Sequence, residues 1–199
     1  MNRPDILSAV EPVIRAFEKI GIDYYIGGSV ASSAYGLARA TLDVDMVSDL
    51  KIQHVHPLVE MLGTDYYIDE DMILNAIERR SSFNLIHIET MIKVDVFLSK
   101  DDSFSKEAFK RKRKESLDIE AGAAEFYFAS CEDIILNKLL WFRKGDNVSE
   151  SQWSDVLGVL KVQGESLDKE YLMHWAGKIG ILDSLKKAFR EARIEKIED

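Results

Sequence analysis

The chain has 199 residues, of which 46 % are hydrophobic and 31 % are charged, with three prolines and eleven glycines. This composition is typical of one globular protein of ordinary size and excludes disordered, collagen-like and fibrous chains. The net charge of −9 excludes a protein that coats nucleic acid through overall positive charge. A single cysteine, Cys131, and the lack of an apolar stretch of roughly 18 residues predict a cytoplasmic protein that does not associate with a membrane.

The first portion of the sequence alternates between helical and strand patterns. Apolar residues at three- and four-residue steps predict a helix over 6–20, and a short aromatic segment predicts a strand over 23–26. The strands predicted over 82–89 and 91–98 follow each other so closely that we expect a hairpin. The remaining patterns predict helices over 30–37, 49–62, 70–79 and 100–114, and strands over 42–47, 82–89, 91–98 and 125–129.

The last part of the sequence predicts helices alone. Ser130 with Asp133, and Ser149 with Gln152, have the spacing of N-terminal capping boxes, and Asp49 is expected to cap an earlier helix. Helices are therefore expected over 133–142, from 149 onward, over 168–178 and over 183–195. The whole pattern predicts an α/β (α+β) core over residues 1–129 and a C-terminal helical lobe over residues 130–199, together forming one compact unit.

A glycine turn lies between the first predicted strand and the second predicted helix. It consists of Gly27, Gly28 and Ser29. Taken alone, such a tripeptide is most often only a tight turn. A glycine turn at a helix N-terminus can also let a phosphate group approach the backbone N–H groups.

Three acidic residues follow the glycine turn on predicted strands. Asp43 and Asp45 are two positions apart and share one face of their strand, and Asp95 lies on a later strand. Each acid alone is most often a solvated or aggregation-preventing charge. Their order after a phosphate-binding turn is the one that metal-assisted phosphoryl transfer requires, because carboxylate oxygens suit Mg²⁺. In that chemistry Asp95 would hold the ion nearer the attacking hydroxyl and accept its proton.

The ordered pattern of glycine turn, helix, Asp43-x-Asp45 and later Asp95 resembles the nucleotidyltransferase superfamily typified by DNA polymerase beta. The resemblance covers about residues 20–98. It implies a mixed sheet with flanking helices, a nucleoside triphosphate donor, and two Mg²⁺ ions, with Mn²⁺ as an alternative. The implied reaction transfers a nucleoside monophosphate to an acceptor hydroxyl and releases pyrophosphate.

The run from Arg39 to Asp45 resembles the Arg-x-Thr-x-Asp-x-Asp form of small bacterial members of that superfamily, such as abortive-infection toxin-type and minimal antitoxin-type enzymes. This resemblance implies that Arg39 faces the triphosphate and that Thr41 belongs to the nucleotide site. An arginine with planar paired donors suits that role. The alternative for Arg39 is an ordinary surface loop position.

A lysine in the helical part, Lys138, shares a helix face with apolar residues and therefore needs a partner or an anion. The toxin-type branch has a lysine in an apolar helix after the core and an aspartate in the next helix. Lys138 and Asp155 match those places, which implies a lysine contact to nucleotide phosphate with the aspartate as its orienting partner. The alternative is that Lys138 snorkels to solvent and that Asp155 is solvated.

Positive charge is concentrated between Lys106 and Lys114, where six of nine residues are basic. Beside an active-site cleft, this run would bind the phosphates of an acceptor such as a tRNA end. The alternative is a solvated helix face.

Three functions are consistent with these motifs. The first is a toxin-like enzyme that transfers nucleotides to tRNA, and the second is an enzyme that adenylylates a partner protein or a small molecule such as an aminoglycoside. The third is a catalytically silent binding or antitoxin module, with a cognate toxin or antitoxin protein as its partner. Three crowded acids weigh against the third, because they repel one another unless cations balance them.

Overall fold

The computed structural model describes residues 3–38, 40–116 and 125–194. Its helices are α1 Arg3–Ile20, α2 Gly28–Tyr35, α3 Ile52–Leu62, α4 Glu70–Arg79, α5 Ser103–Arg111, α6 Cys131–Lys144, α7 Glu150–Gln163, α8 Lys169–Lys178 and α9 Leu182–Ala192. Its strands are β1 Tyr24–Ile26, β2 Asp43–Ser48, β3 Tyr66–Tyr67, β4 Ser82–His87, β5 Lys93–Leu98, β6 Arg113–Ser116 and β7 Glu125–Phe128.

The strands of the described residues form one mixed sheet, in the order β3-β4-β5-β2-β1-β7-β6. β2 is parallel to β5 and β1 is parallel to β7, whereas the other neighbours are antiparallel. The expected hairpin is present as β4 and β5. This architecture confirms the predicted α/β (α+β) fold class. Within the described ranges, no helix is long and apolar enough to cross a membrane.

The central strands β2 and β5 each present an apolar face and a polar face. Val44 and Met46 on β2, and Val94 and Val96 on β5, are 0 % exposed, whereas the residues between them are half-buried. Burying each such side chain contributes about 1.5–3 kcal/mol. A slip of one residue would exchange this core for the acidic face, so the alternation fixes the register.

The chain divides into two compact units, one of Met1–Val30 with Ala40–Ala129 and one of Ala31–Arg39 with Ser130–Asp199. The first unit holds the sheet. The second contains the helices from α6 onward and most of α2. Residues 31–39 therefore group with the helical unit, whereas the sequence-based division at residue 129 places them with the core.

Buried polar residues fix α6 inside the second unit. Ser130 caps the helix as predicted, since its hydroxyl accepts from the Asp133 N–H at 3.2 Å. The Tyr171 hydroxyl donates to Asp133 Oδ1 at 2.7 Å, and the Asp168 N–H donates to Glu132 Oε1 at 3.0 Å. These bonds connect the first turn of α6 to the start of α8.

Three local expectations differ from the structure. The helix expected over 100–114 ends at Arg111, because the residues from Arg113 pair with β7 as strand β6. Lys51 rather than Asp49 is the N-cap of α3. Ser149 precedes α7, but its side chain makes no capping hydrogen bond.

Candidate active site

The three predicted carboxylates come together on the polar face of β2 and β5. The parallel register places Asp43 beside Lys93 and Asp45 beside Asp95. Neighbouring strands lie about 4.8 Å apart, and alternate residues of one strand lie about 6.5–7 Å apart. The carboxylate cluster, as we call Asp43, Asp45 and Asp95, is half-buried.

The glycine turn lies directly against this cluster. The Gly27 N–H donates to the Asp45 carbonyl at 2.9 Å, which joins the turn to β2. Gly28 has φ +56°, and a Cβ atom on it would lie 1.7 Å from Asp45 Oδ2. Only glycine fits there, since the left-handed backbone and the close approach both exclude a side chain. Gly28 and Ser29 begin α2, two residues earlier than the sequence pattern indicates.

Thr41 holds the first carboxylate in place. Its hydroxyl donates to Asp43 Oδ1 at 2.6 Å, and its side chain is buried. The structure thus places Thr41 in contact with the carboxylate cluster. Arg39, the other residue expected in this loop, lies outside the described residues.

Lys93 is a site residue that the sequence reasoning missed. Its Nζ lies 2.7 Å from Asp95 Oδ2, with the side chains 42 % and 19 % exposed. The hydrogen bond to Asp95 raises the pKa of Lys93 above its ordinary value, and the charges of all three carboxylates act in the same direction against the effect of burial. Its position in the sequence could have identified it, because Lys93 is two residues before Asp95 and therefore lies on the same face of the strand.

Comparison with solved structures shows what kind of fold holds this site. No protein-family model matches the chain, and the search of curated proteins gave no match. The antibiotic-resistance factor ANT(2'')-Ia matches over 96 % of each chain, with a TM-score of 0.53 and 16 % identity. The crystal structure of ANT(2'')-Ia in complex with adenylyl-2''-tobramycin has a TM-score of 0.56 over 87 % of this chain and 95 % of that one, at 12 % identity. An antigenic nucleotidyltransferase-like protein from Paracoccidioides brasiliensis has a TM-score of 0.55 over 94 % and 93 %, at 15 % identity.

The chain has the nucleotidyltransferase fold. This confirms the fold that the resemblance implied. At 12–16 % identity the likeness concerns the fold and leaves the reaction to be argued from the site itself.

The nucleotidyltransferase fold implies divalent metal ions, and the carboxylate cluster has the right donor chemistry for them. Carboxylate oxygens are the ligands that Mg²⁺ prefers. Across the described residues, however, no group of three or more acidic, histidine or cysteine side chains is arranged to hold a metal ion. Two carboxylates are instead engaged by protein donors, Asp95 by Lys93 and Asp43 by Thr41. The oxygen donors of Asp43, Asp45 and Asp95 suit a hard cation by their chemistry, but the three side chains are not gathered around one position, so their binding of metal stays a prediction.

In the helical unit, Lys138 and Asp155 form a buried ion pair. Their charged atoms are 2.7 Å apart, each side chain is 4 % exposed, and Lys138 also donates to Gln152 Oε1 at 3.3 Å. Lys138 thus has the partner that its apolar surroundings require. Its contact to a nucleotide phosphate stays a prediction.

The basic run is divided between two elements. Lys112 is only 14 % exposed, forms an ion pair with Asp23 and places its Nζ 4.5 Å from the centre of the Tyr127 ring. Lys106 and Lys110, one turn apart on α5, line a surface cleft of about 900 Å³. We call it the basic cleft, since cations outnumber acids in its lining. The cations are Lys51, Arg80, Lys100, Lys106 and Lys110, and the acids are Asp23, Asp49 and Asp101.

The basic cleft lies at the opposite end of the central strands from the carboxylate cluster. Its lining includes Asp49 and Leu98, at or just beyond the last residues of β2 and β5, whereas Asp43 is the first residue of β2. Asp49 is four positions after Asp45, a distance of about 13 Å, and Leu98 is three positions after Asp95, a distance of about 10 Å. The basic run therefore does not border the carboxylate cluster directly.

Proposed function

We propose that this protein is a Mg²⁺-dependent nucleotidyltransferase that transfers a nucleoside monophosphate from a nucleoside triphosphate to an acceptor hydroxyl. The observation that carries the proposal is the placement of Asp45 between two partners. One is Asp95, beside it in the strand register, and the other is Gly28, whose backbone its carboxylate touches. Carboxylates for metal and backbone N–H groups for phosphate therefore stand side by side, as phosphoryl transfer requires.

The first turn of α2 would bind the triphosphate. Its backbone N–H groups begin at Gly28, and the N-terminus of a helix favours an anion. Ser29 would add its hydroxyl to these donors. In this proposal Thr41 keeps Asp43 oriented, since the hydroxyl engages one carboxylate oxygen and leaves the other for a cation.

The reaction needs one base and a neutralised phosphate. The acceptor oxygen forms a bond to the α-phosphorus while the bond to the bridging oxygen breaks, and pyrophosphate leaves with that electron pair. Asp95 accepts the hydroxyl proton, and Asp43 and Asp45 hold the cation with it. Two bound Mg²⁺ ions, or Mn²⁺ in their place, would neutralise the phosphate charge and activate the hydroxyl.

For the acceptor, the basic cleft supports a polyanion such as tRNA. Five of its lining residues are cations and three are acids, which gives the lining a charge of +2 in a chain of net charge −9; Lys51, Arg80 and Lys106 form ion pairs with Asp49 or Asp101. Because the cleft begins about 10–13 Å from the cluster along the strands, an acceptor that uses both must be long. Arg39, Lys138 and Asp155 are proposed as further nucleotide contacts, on the resemblance alone.

The second candidate acceptor is an antibiotic. It is supported by the fold shared with ANT(2'')-Ia, whose structure contains adenylyl-2''-tobramycin. Aminoglycosides are polycations, so the acidic surface of this chain rather than its basic cleft would attract them.

Label transfer from each α-³²P nucleoside triphosphate tests the function and the acceptor together. Total tRNA and a set of aminoglycosides are offered separately with Mg²⁺. We expect label in tRNA, lost in Asp43→Asn and retained in Asp71→Asn, an exposed acid on α4 that serves as the matched control. Label in an aminoglycoside would establish the second candidate, and no transfer to any acceptor would contradict the proposed function.

Charge reversal tests whether the basic cleft binds tRNA without taking part in triphosphate binding. Lys106→Glu with Lys110→Glu should raise the KM for tRNA severalfold with a smaller effect on triphosphate binding, whereas Lys19→Glu on the exposed end of α1 should change neither. Equal effects of the two charge reversals on the KM for tRNA would contradict a role of the basic cleft in binding tRNA. A cognate toxin or antitoxin stays a prediction, tested by co-purification with the product of the adjacent reading frame.

A further inference from the structure

Lys93 places a positive charge inside the carboxylate cluster before any metal is bound. It is the strand neighbour of Asp43, and its ammonium lies 2.7 Å from Asp95 Oδ2. Opposite Asp95 on β4 lies the uncharged Asn84, and opposite Lys93 lies the apolar Ile86. On these strand positions Lys93 is thus the cation closest to the acids.

The charge count of the cluster explains why such a residue is useful. Three carboxylates on one half-buried face repel one another, and repulsion at these distances is costly at the effective dielectric of a protein surface. One ammonium formally offsets one of the three charges. A single divalent cation offsets the other two, whereas two divalent cations added to Lys93 would leave an excess of positive charge unless a triphosphate accompanied them.

We propose that Lys93 is the built-in counter-ion of the carboxylate cluster, which holds Asp95 when metal is absent and competes with a divalent cation for that carboxylate. The inference rests on the proposed metal site. It adds that the free protein takes up one divalent cation weakly, and that a second arrives only with the charge of the triphosphate.

Metal binding to the free protein tests this without any turnover. Mn²⁺ is titrated into wild type and into Lys93→Met, which keeps the length of the side chain and removes its charge, and bound ion is measured by electron paramagnetic resonance. Removing a unit charge in contact with a ligand carboxylate should tighten Mn²⁺ binding by at least about tenfold, after allowance for solvent screening of a half-exposed pair. Lys93→Arg should stay within about threefold of wild type, and so should Lys19→Met, the matched control away from the cluster.

Stability without metal gives an independent readout. Lys93→Met should lower the Tm of the metal-free protein, because Asp95 loses its partner, and Mn²⁺ should raise the Tm of this variant more than that of wild type. A lysine that merely supported β5 would lower the Tm equally with and without Mn²⁺. If Lys93→Met does not fold, Lys93→Gln, which retains a hydrogen-bond donor, takes its place.

The outcomes separate this inference from the proposed function. Tighter Mn²⁺ binding and a larger stabilisation in the neutral variant support the counter-ion role. Equal or weaker binding in that variant overturns the role of Lys93 and leaves the metal site standing. Absence of Mn²⁺ binding in both proteins overturns the metal site and the counter-ion together, whatever the acceptor.

Discussion

Gly28→Ala is the substitution whose effect the structure specifies most closely. The added Cβ would lie 1.7 Å from Oδ2, 2.5 Å from Cγ and 2.7 Å from Cβ of Asp45. The residue also has φ +56°, a backbone region that L-residues adopt at a cost. Either the glycine turn or the Asp45 carboxylate must therefore move.

The stability loss can be worked from these two terms. The left-handed backbone costs about 1–2 kcal/mol for alanine, and forcing Asp45 off its rotamer costs about 0.5–1.5 kcal/mol. A total of about 1.5–3.5 kcal/mol corresponds to a fall in Tm of roughly 3–14 °C for a chain of this size. Displacing a metal-holding carboxylate by about 1 Å should also lower nucleotidyl transfer by about 100-fold.

Gly27→Ala is the matched control, one residue away. A Cβ atom added to Gly27 would meet no heavy atom within 4 Å, the residue has no left-handed φ, and its N–H bond to the Asp45 carbonyl survives the substitution. We expect its Tm within about 2 °C of wild type. Differential scanning fluorimetry and label transfer on both variants are the assays. Equal Tm values and equal transfer rates for the two variants would refute the close contact between Gly28 and Asp45.

Two further predictions concern buried charge and pH. Replacing Lys138 by Met should lower the free energy of unfolding by about 3–5 kcal/mol, because it leaves Asp155 buried without its cation. In urea titrations, the double variant Lys138→Met with Asp155→Leu should recover most of this loss. A loss below about 1 kcal/mol in the single variant would contradict a structural ion pair. Burial, and then the charge of Lys51, lowers the pKa of His54 below 6.5 against the opposing charge of Asp49, so the fold favours the neutral imidazole. As the pH falls, the unfolded chain binds a proton at His54 at a higher pH than the folded chain does, so stability should be lost below about pH 6.5. In His54→Asn the Tm should fall less over the same pH range. Identical Tm profiles against pH for the two proteins would contradict the lowered pKa of His54.

The sequence was sufficient for the features that depend on local pattern. The alternation of apolar and acidic residues over 42–47 predicts β2 and places Asp43 and Asp45 on one face, because side chains alternate along a strand. The step from glycine turn to helix and the cap at Ser130 are equally local. The glycine turn and the strand acids also carry the resemblance to the nucleotidyltransferase superfamily, and that resemblance implied the fold.

The rest depends on contacts between distant parts of the chain. The register of β2 against β5 brings Asp95 and Lys93 to Asp45; the alternation within each strand excludes a one-residue slip, but it does not show that these two strands pair or which residues face each other. β6 is a run of charged residues with little strand propensity, and it becomes a strand only through pairing with β7. The basic residues next to it were therefore predicted as a continuous helix, and their separation from the carboxylate cluster followed from the sheet.

The central claim is that the carboxylate cluster and the glycine turn together bind a metal-bound triphosphate. Isothermal titration of a non-hydrolysable nucleoside triphosphate into the wild-type protein, with Mg²⁺ and with chelator, tests it most directly, alongside Asp45→Asn and the control Asp71→Asn. We expect binding that requires Mg²⁺, is lost in Asp45→Asn and is unchanged in Asp71→Asn. Triphosphate binding that is absent from the wild type, or that persists unchanged in Asp45→Asn, would contradict it.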